Sequence, residues 1–252
     1  MGNWKSPRAA TVVVALAVAL CVAAGLYVFA IRDNPESARG IRVESNFSHL
    51  PDGPPPRFFD TGQPTILAVD PSRAGGSISI RAGRLVFKPE VDGIAMGYLT
   101  TPDMGKSITA IGVRWVFQPG SGTDGALNVT ICRGVDQSNK PIGPCSLNLV
   151  LTPETWNFGI TKEKSPTEVL ASGRFVEPLK VDGATSYEVK VNLDGGIATL
   201  NLPNGKKQVI KDPRISQWGG NVATFAAYSN HGLTDSTIGL EEVWAESFPP
   251  PA

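Results

Sequence analysis

Hydrophobic residues follow two different patterns along this chain. Residues 9–31 form an unbroken apolar run of 23 residues without a charged side chain. A helix of this length measures roughly 34 Å at about 1.5 Å per residue, which matches the thickness of a bilayer's hydrocarbon core. Beyond this run, apolar and polar residues alternate in short segments, which is typical of β-strands with one buried face. The sequence therefore predicts one transmembrane helix followed by a β-rich domain.

The charges on either side of the apolar run predict its orientation. Lys5 and Arg8 precede it, and cytoplasmic flanks carry the excess of basic residues. We therefore predict an uncleaved signal-anchor with a cytoplasmic N-terminus and an extracytoplasmic C-terminal domain. A cleaved signal peptide and a lipoprotein signal at Cys21 remain alternatives, although the run is long for the first and Leu20 is large for the second. All three interpretations place the rest of the chain outside the cytoplasm.

Nine segments with strand-like alternation are separated by turn-forming residues, the spacing expected of a β-sandwich or barrel. In one of them Ile111, Val113 and Trp115 share a face, so that face is predicted to be buried. Trp156 is predicted to lie in the core for the same reason. The segments are residues 77–83, 84–89, 111–119, 126–134, 146–153, 156–160, 186–210, 221–228 and 236–248.

Residues 187–210 carry the clearest turn signals. Asp194-Gly195 and Asn204-Gly205 are dipeptides that favour two-residue hairpin turns, because both central positions need positive φ. The segment is therefore predicted to be a three-stranded meander. One short helical turn is expected within residues 212–218, and no long amphipathic helix is predicted outside the membrane.

Composition sets the domain organisation and excludes one class of partner. The chain is 41% hydrophobic with 27 Gly and 21 Pro, as expected for many strands and turns. Lys plus Arg and Asp plus Glu both number 23, so no positive excess is present to hold a nucleic acid. We predict a cytoplasmic N-terminus (1–8), an anchor (9–31), a tether (32–42), one β-sandwich domain (43–248) and a tail (249–252).

Cysteine and histidine usage bears on disulfides and metals. Cys132 and Cys145 flank a polar loop, and in an oxidising compartment closing it would remove unfolded-state entropy, so we predict a disulfide; two unpaired thiols are the alternative. The chain contains two histidines, His49 and His231, and no C-x-x-C pair. No metal site and no cofactor are therefore predicted.

Four segments resemble one known superfamily. They are FSHLPDGPPPRFFDTGQP (47–64), RLVF (84–87), SYEVKVNLDGGIATLNLPNGKKQVIKDPRI (186–215) and NHGLTDSTIGLEEVWAE (230–246). Together they resemble the concanavalin A-like lectin/glucanase superfamily in the laminin-G-like form of exported actinobacterial proteins, over residues 43–248. The resemblance implies an all-β, two-sheet jelly-roll sandwich whose last strand returns beside the first. It also implies a concave face that binds glycans or proteins.

Glucanases of this superfamily place their catalytic acids in an E-x-D-x-x-E strand, which raises the question of hydrolysis here. Glu241 and Glu246 have that separation, but Val243 stands where the pattern requires Asp. In a regular strand the two glutamates would also point to opposite faces. We predict instead an outer strand with Glu242 and Glu246 in solvent and with Val243 and Ala245 in the core.

Two further groups of polar residues were considered as sites. His231 lies near Ser229, Asp235 and Ser236, but no nucleophile elbow surrounds either serine, so a loop histidine is predicted. Asp124 and Asp235 could hold Ca²⁺ at the rim of the domain. One carboxylate per loop is thin support for an ion that takes six or more oxygens.

The remaining candidates are aromatic, because sugar rings stack on exposed aromatic side chains. Trp218, Tyr228 and Trp244 are the predicted ligand-binding residues. The predicted function is a membrane-anchored recognition module that binds cell-envelope glycan or a protein without catalysis. A structural envelope protein without a small ligand is the alternative, with a glycoside hydrolase as the third. A row of exposed aromatic and amide side chains on the concave sheet would favour the first.

Overall fold

The computed structural model describes residues 40–69, 75–90, 95–119, 125–135, 141–142, 145–162, 166–229 and 237–248. The predicted anchor at residues 9–31 lies outside these ranges. No helix in them has both the length and the hydropathy required to span a membrane. Gly40–Ala252 make up one compact unit, and the description below concerns that unit.

The regular secondary structure in the described part of this unit is almost entirely β-strand. In chain order the elements are β1 (Ile41–Asn46), a 3-10 helix (Phe47–His49), β2 (Ile66–Val69), β3 (Gly76–Arg81), β4 (Arg84–Pro89), β5 (Ala95–Thr100), β6 (Ala110–Phe117), β7 (Ala126–Cys132), β8 (Gly134–Val135), β9 (Pro141–Ile142), β10 (Cys145–Leu151), β11 (Thr155–Lys162), β12 (Glu168–Arg174), β13 (Ser186–Asp194), β14 (Ile197–Asn201), β15 (Lys207–Lys211), α1 (Arg214–Trp218), β16 (Val222–Ser229) and β17 (Ile238–Ser247).

The strands form two antiparallel sheets. The first sheet has the order β15-β14-β13-β6-β17-β4-β3, and β1 pairs with the C-terminal half of β17. The second sheet has the order β12-β11-β10-β7-β16-β5-β2, while β8 and β9 form a separate two-stranded ribbon. The last strand therefore lies beside the first, and the predicted all-β architecture is confirmed.

The core lies between the sheets, where the alternating apolar residues meet. Ile111, Val113 and Trp115 on β6 are fully buried, as their alternation predicts. The Trp115 ring packs edge-on against Phe117, with 6.0 Å between ring centroids and 83° between planes. Trp156 on β11 is also buried. The predictions for both tryptophans are confirmed.

The meander predicted at residues 187–210 is present as β13, β14 and β15, but its turns differ from the prediction. Asp194 pairs with Ile197, so the two turn residues are Gly195 and Gly196, one position later than predicted. The second turn is longer, and within it the Gly205 N–H donates a hydrogen bond to the Leu202 carbonyl. Both hairpins nevertheless place a glycine at positive φ, at Gly195 and at Gly205.

Several strands lie outside the predicted segments. They are β1, β2, β5 and β12, together with the ribbon of β8 and β9. Strand β1 begins at Ile41, inside the segment predicted to be a tether. The short helix α1 confirms the helical turn expected within residues 212–218.

The predicted disulfide between Cys132 and Cys145 is not supported, since no disulfide occurs among the described residues. The register of β7 and β10 gives a physical reason. Ile131 pairs with Leu147, and the same register continued places Cys132 opposite Ser146. Cys132 and Cys145 are therefore not directly opposed on the two strands.

Candidate functional site

Glu241 and Glu246, whose spacing raised the question of hydrolysis, lie on the outer face of the first sheet. Strand β17 is a central strand between β6 and the pair β4 and β1, so the prediction of an outer strand is wrong. A register shift lies between Leu240 and Glu242. This β-bulge brings the Glu241 side chain to the outer face, so the argument that a regular strand separates Glu241 from Glu246 does not apply. Val243 and Ala245 are fully buried, as predicted.

The Glu241 carboxylate contacts three side chains and does not line an open cleft. Ser186 Oγ donates to Glu241 Oε2 at 2.6 Å, and Arg84 Nε donates to Oε1 at 3.1 Å. Arg114 Nε lies 3.5 Å from Oε2. Both carboxylate oxygens therefore have protein partners, and only 14% of the side chain is exposed. The arrangement is that of a structural ion-pair network.

The other two glutamates of β17 are paired in the same way. Arg114 Nη2 lies 2.9 Å from Glu242 Oε2, and Arg42 Nη1 donates to Glu246. Arg42 also donates to Glu44 on its own strand. The guanidinium groups of three arginines thus pair with the three carboxylates of β17. These ion pairs connect β1, β4 and β6 to β17, which lies between them.

Trp244 is the predicted ligand residue on this face, and its surface is largely covered. The residue is only 8% exposed. Arg42 and Lys190 both lie over the ring, each 5.0 Å from its centroid. The indole also lies directly above Gly112, where an added Cβ would fall within 3.0 Å of three ring atoms. The ring is occupied by protein contacts that leave little area for a sugar.

The other two predicted ligand residues lie elsewhere. Trp218 is the last residue of α1, and its partly buried side chain packs against the core. Tyr228 is partly buried on β16, opposite Ala126 and Met96 on the neighbouring strands. The structure therefore does not bring Trp218, Tyr228 and Trp244 together, and their role in binding stays a prediction.

The remaining sequence candidates fall largely outside the described residues. His231, Asp235, Ser236 and Asp124 belong to this group, so the loop histidine and the Ca²⁺ site stay untested. Ser229 is fully buried, with its hydroxyl 3.4 Å from that of Thr237. In the described ranges, no three His, Cys, Asp or Glu side chains are grouped so as to hold a metal ion.

A row of amide and hydroxyl side chains crosses the outer face of the second sheet. Thr130 Oγ1 and Asn128 Oδ1 are 3.1 Å apart, and Asn148 Nδ2 donates to Thr161 Oγ1 at 3.2 Å. Asn148 Oδ1 is buried without a hydrogen-bond partner among the described residues. We call this row, with Asn157, the amide strip. Thr130 is only 7% exposed and Asn148 Oδ1 is buried, so the strip is not the exposed row that the sequence interpretation named as favouring recognition.

A polar cleft of about 400 Å³ opens where three loops meet at the ends of β7 and β16. The loop after β5, the residue after β7 and the connection from α1 to β16 form its walls. Glycines and polar side chains line it: Gly105, Lys106, Ser107, Arg133, Ser216, Gly219, Gly220 and Asn221. No apolar side chain and no carboxylate is among these residues.

Close backbone packing positions the walls of the cleft. Gly220 lies against the end of β7, where an added Cβ would fall within 3.0 Å of the Cys132 carbonyl. The carbonyls of Gly220 and Asn221 accept hydrogen bonds from Ile108 N–H (2.8 Å) and Met104 N–H (2.9 Å). The connection from α1 to β16 is therefore fixed both to β7 and to the loop after β5.

Side chains complete this positioning. Asp103 Oδ1 accepts hydrogen bonds from Gly105 N–H at 2.7 Å and from the Asn221 amide at 2.5 Å. Arg133 Nη2 donates to the Gln217 carbonyl at 2.9 Å. The Asp103–Gly105 bond closes the loop after β5, the Asp103–Asn221 bond ties this loop to the connection from α1 to β16, and the Arg133–Gln217 bond ties the end of β7 to α1. The Asn221 and Arg133 side chains are therefore held in place before any ligand arrives.

An ion-pair cluster fixes the start of α1. Hydrogen bonds from the Arg214 side chain and backbone lower the pKa of Asp212 to about 2. Arg214 also donates to Glu168 on β12, and this bond lowers the pKa of that carboxyl. Both carboxylates therefore stay ionised at neutral pH, and they anchor the helix whose last turn lies beside the cleft.

Sequence reasoning reached this cleft only indirectly. The sequence prediction pointed to Trp218 for its aromatic ring. The cleft is lined instead by Ser216 and Asn221, which lie on either side of Trp218-Gly219-Gly220. Arg133 and Lys106 carried no sequence signal, because they come from loops that are distant in the chain. The paired glycines were the signal that could have located the cleft.

No protein-family model and no curated protein matches this chain. Solved structures do resemble it. The carbohydrate recognition domain of Emp47p has a TM-score of 0.52 at 13% identity, covering 83% of this chain and 95% of that one. A Bacillus subtilis protein of unknown function with a galectin-like fold gives 0.52 at 15%, covering 82% and 100%. The GlcNAcα1-4Gal-releasing endo-β-galactosidase from Clostridium perfringens gives 0.52 at 12%, covering 81% and 61%.

These identities are low enough that the likeness shows the fold alone. The shared fold is an antiparallel β-sandwich, which agrees with the concanavalin A-like fold that the sequence resemblance implied. Carbohydrate-binding domains and a glycoside-cleaving enzyme both occur among the similar structures, so the fold does not choose between binding and catalysis. That choice depends on the cleft and on the glutamates of β17.

Proposed function

We propose that this protein is a membrane-anchored, extracytoplasmic module that binds cell-envelope glycan in the polar cleft without cleaving it. The lining of the cleft carries this proposal. Its volume falls within the range of about 300–1,000 Å³ that is typical of small-ligand sites, yet it lacks the apolar walls of most of them. A ligand that fits must itself be polar, and a sugar with its many hydroxyl groups is such a ligand.

The groups in the cleft suit this ligand. The Ser107 hydroxyl and the rest of the Asn221 amide can exchange hydrogen bonds with sugar hydroxyls. Ser216 Oγ donates to the Pro213 carbonyl at 2.8 Å, so it can accept a hydrogen bond from a sugar. Gly105 and Gly219 lack side chains and have room where a Cβ would lie, so a sugar ring can approach the backbone closely there. The amide strip begins on β7, the strand that ends next to the cleft. A longer glycan is therefore expected to extend from the cleft toward Asn128 and Thr130.

The absence of a carboxylate from the described lining supports binding over hydrolysis. Glycoside cleavage usually requires two carboxyl groups on either side of the scissile bond. The candidates on β17 lie on the other sheet and are engaged in ion pairs. We therefore assign no catalytic residue.

Replacing Asn221 with alanine in the full-length protein should weaken retention on envelope polysaccharide roughly tenfold, the change expected from losing one or two hydrogen bonds. Asn201→Ala is the matched control, because Asn201 is exposed on β14. Affinity electrophoresis measures both variants, and thermal unfolding verifies the fold. Unchanged retention of a folded Asn221→Ala protein would move the binding site away from the cleft.

The proposed topology rests on the uncharged run at residues 9–31 and the basic residues before it. A reporter enzyme that works only outside the cytoplasm, fused after Ala252, should be active. A reporter that works only in the cytoplasm should be silent at the same position. The reverse pattern would refute both the anchor orientation and the extracytoplasmic assignment.

A further inference from the structure

The charged side chains that line the cleft are both cations. Lys106 and Arg133 contribute them, and no carboxylate lines the cleft among the described residues. The nearby Asp103 uses Oδ1 to accept hydrogen bonds from Gly105 and Asn221. The whole chain has no net charge, so two cations beside the one carboxylate of Asp103 give the described part of the cleft a positive charge that composition alone does not predict.

Arg133 is oriented as well as charged. Its Nη2 donates to the Gln217 carbonyl at 2.9 Å, which fixes the guanidinium against the last turn of α1. A guanidinium carries five N–H donors in a planar fork, and this bond uses one of them. A planar fork held in one orientation matches a carboxylate, which accepts two parallel hydrogen bonds.

We propose that the cleft selects glycans that carry a carboxylate, such as hexuronic acid residues, through paired hydrogen bonds from Arg133 to the carboxylate oxygens. This inference rests on the proposed function, since it names the class of glycan that the same cleft binds. Asn221, Ser107 and Ser216 contact the sugar hydroxyls, and Lys106 adds to the positive potential. A neutral glycan can contact Asn221, Ser107 and Ser216, but it lacks the carboxylate that pairs with Arg133.

The test compares two ligands that differ only at their carboxyl groups, which are ionised in one and neutral methyl esters in the other. A tetrasaccharide of hexuronic acid and its fully methyl-esterified form are titrated calorimetrically into the full-length protein in mild detergent. The free acid should bind roughly tenfold more tightly than the ester, the difference expected of a charge-assisted pair. Raising the salt concentration should weaken binding of the acid and leave that of the ester unchanged.

Three variants then identify the residue responsible. Arg133→Gln should remove the difference between acid and ester. Because Arg133 also holds Gln217, the measured quantity is the ratio of the two affinities within each variant. Arg133→Lys should keep part of the difference, because it retains the charge without the fork. Arg174→Gln is the matched control, since that arginine is exposed on the edge strand β12, and it should bind like the wild type.

The outcomes separate the two proposals. Equal affinity of wild-type protein for acid and ester would overturn carboxylate selection and leave glycan binding standing. Binding to neither these ligands nor a panel of neutral envelope glycans would overturn the proposed function itself. A difference between acid and ester that survives in Arg133→Gln would overturn the assignment of the contact to Arg133. If that variant fails to fold, the same decision is made with Arg133→Lys, where an undiminished preference contradicts the paired contact.

Discussion

Gly220→Ala should unfold the cleft and destabilise the whole domain. The added methyl group would lie within 3.0 Å of the Cys132 carbonyl oxygen, its carbon and the next backbone nitrogen. Backbone atoms cannot rotate away as the end of a side chain can, so β7 and the connection from α1 to β16 must separate. That movement would also strain the hydrogen bonds from Ile108 and Met104 to this connection.

We expect this substitution to cost about 3 kcal/mol in the free energy of unfolding, the upper part of the range for overpacked sites. For a domain of this size that corresponds to a fall of about 6–12 °C in Tm. Glycan binding should be lost even at temperatures where the domain remains folded. Differential scanning calorimetry and affinity electrophoresis measure the two effects.

The neighbouring glycine provides the matched control. A Cβ added at Gly219 would meet only the Ile215 carbonyl oxygen at 3.7 Å, an ordinary contact, and its φ of −65° suits any residue. Gly219→Ala should therefore leave Tm within about 2 °C of wild type, as expected for a surface substitution. Equal stability of the two variants would show that Gly220 does not pack against β7 as described.

The sequence predicted the parts of the fold that depend on local alternation. The face of β6 that carries Val113 and Trp115 is an example, because its apolar residues occur at every second position. Strand β1 was missed because Ser45, a polar residue, occupies one of its buried positions. Strand β12 was missed because it is an edge strand whose Val169 is 52% exposed, so neither of its faces is uniformly apolar.

Features that depend on pairing between distant segments could not be predicted. The bulge before Glu242 exists because β17 must match the register of β6 on one side and those of β4 and β1 on the other. The cleft likewise combines Arg133 with Asn221 and the loop after β5, which meet only when β7 and β16 pair. Sequence reasoning selected aromatic residues for binding, whereas the amides and cations form the described cleft.

The last prediction concerns Glu241, the residue that most directly distinguishes a structural network from a hydrolase. Glu241→Ala removes the acceptor for Ser186 and leaves Arg84 and Arg114 without this carboxylate between them. Hydrogen bonds to a charged group contribute about 1.5–3 kcal/mol. We therefore expect a loss of about 2 kcal/mol in the free energy of unfolding and a fall of about 4–8 °C in Tm.

The matched control is a glutamate in an exposed ion pair. Glu154 pairs with Arg174 at 3.2 Å, with 43% and 78% of the two side chains exposed. Exposed pairs contribute little to stability, so Glu154→Ala should change the free energy of unfolding by less than about 1 kcal/mol. Urea denaturation of the full-length protein in mild detergent, with tryptophan fluorescence as the signal, compares the two variants.

A second substitution of the same residue, Glu241→Gln, tests for catalysis. If Glu241 is structural, Glu241→Gln should keep glycan affinity at the wild-type level, because its carboxylate lies on the sheet opposite the amide strip. Neither wild type nor variant should release reducing ends from envelope polysaccharide. If instead the wild type releases reducing ends and Glu241→Gln does not, while stability changes little, the bulged strand β17 is catalytic. The cationic partners of Glu241 would then have to move away for its carboxylate to reach a glycosidic bond.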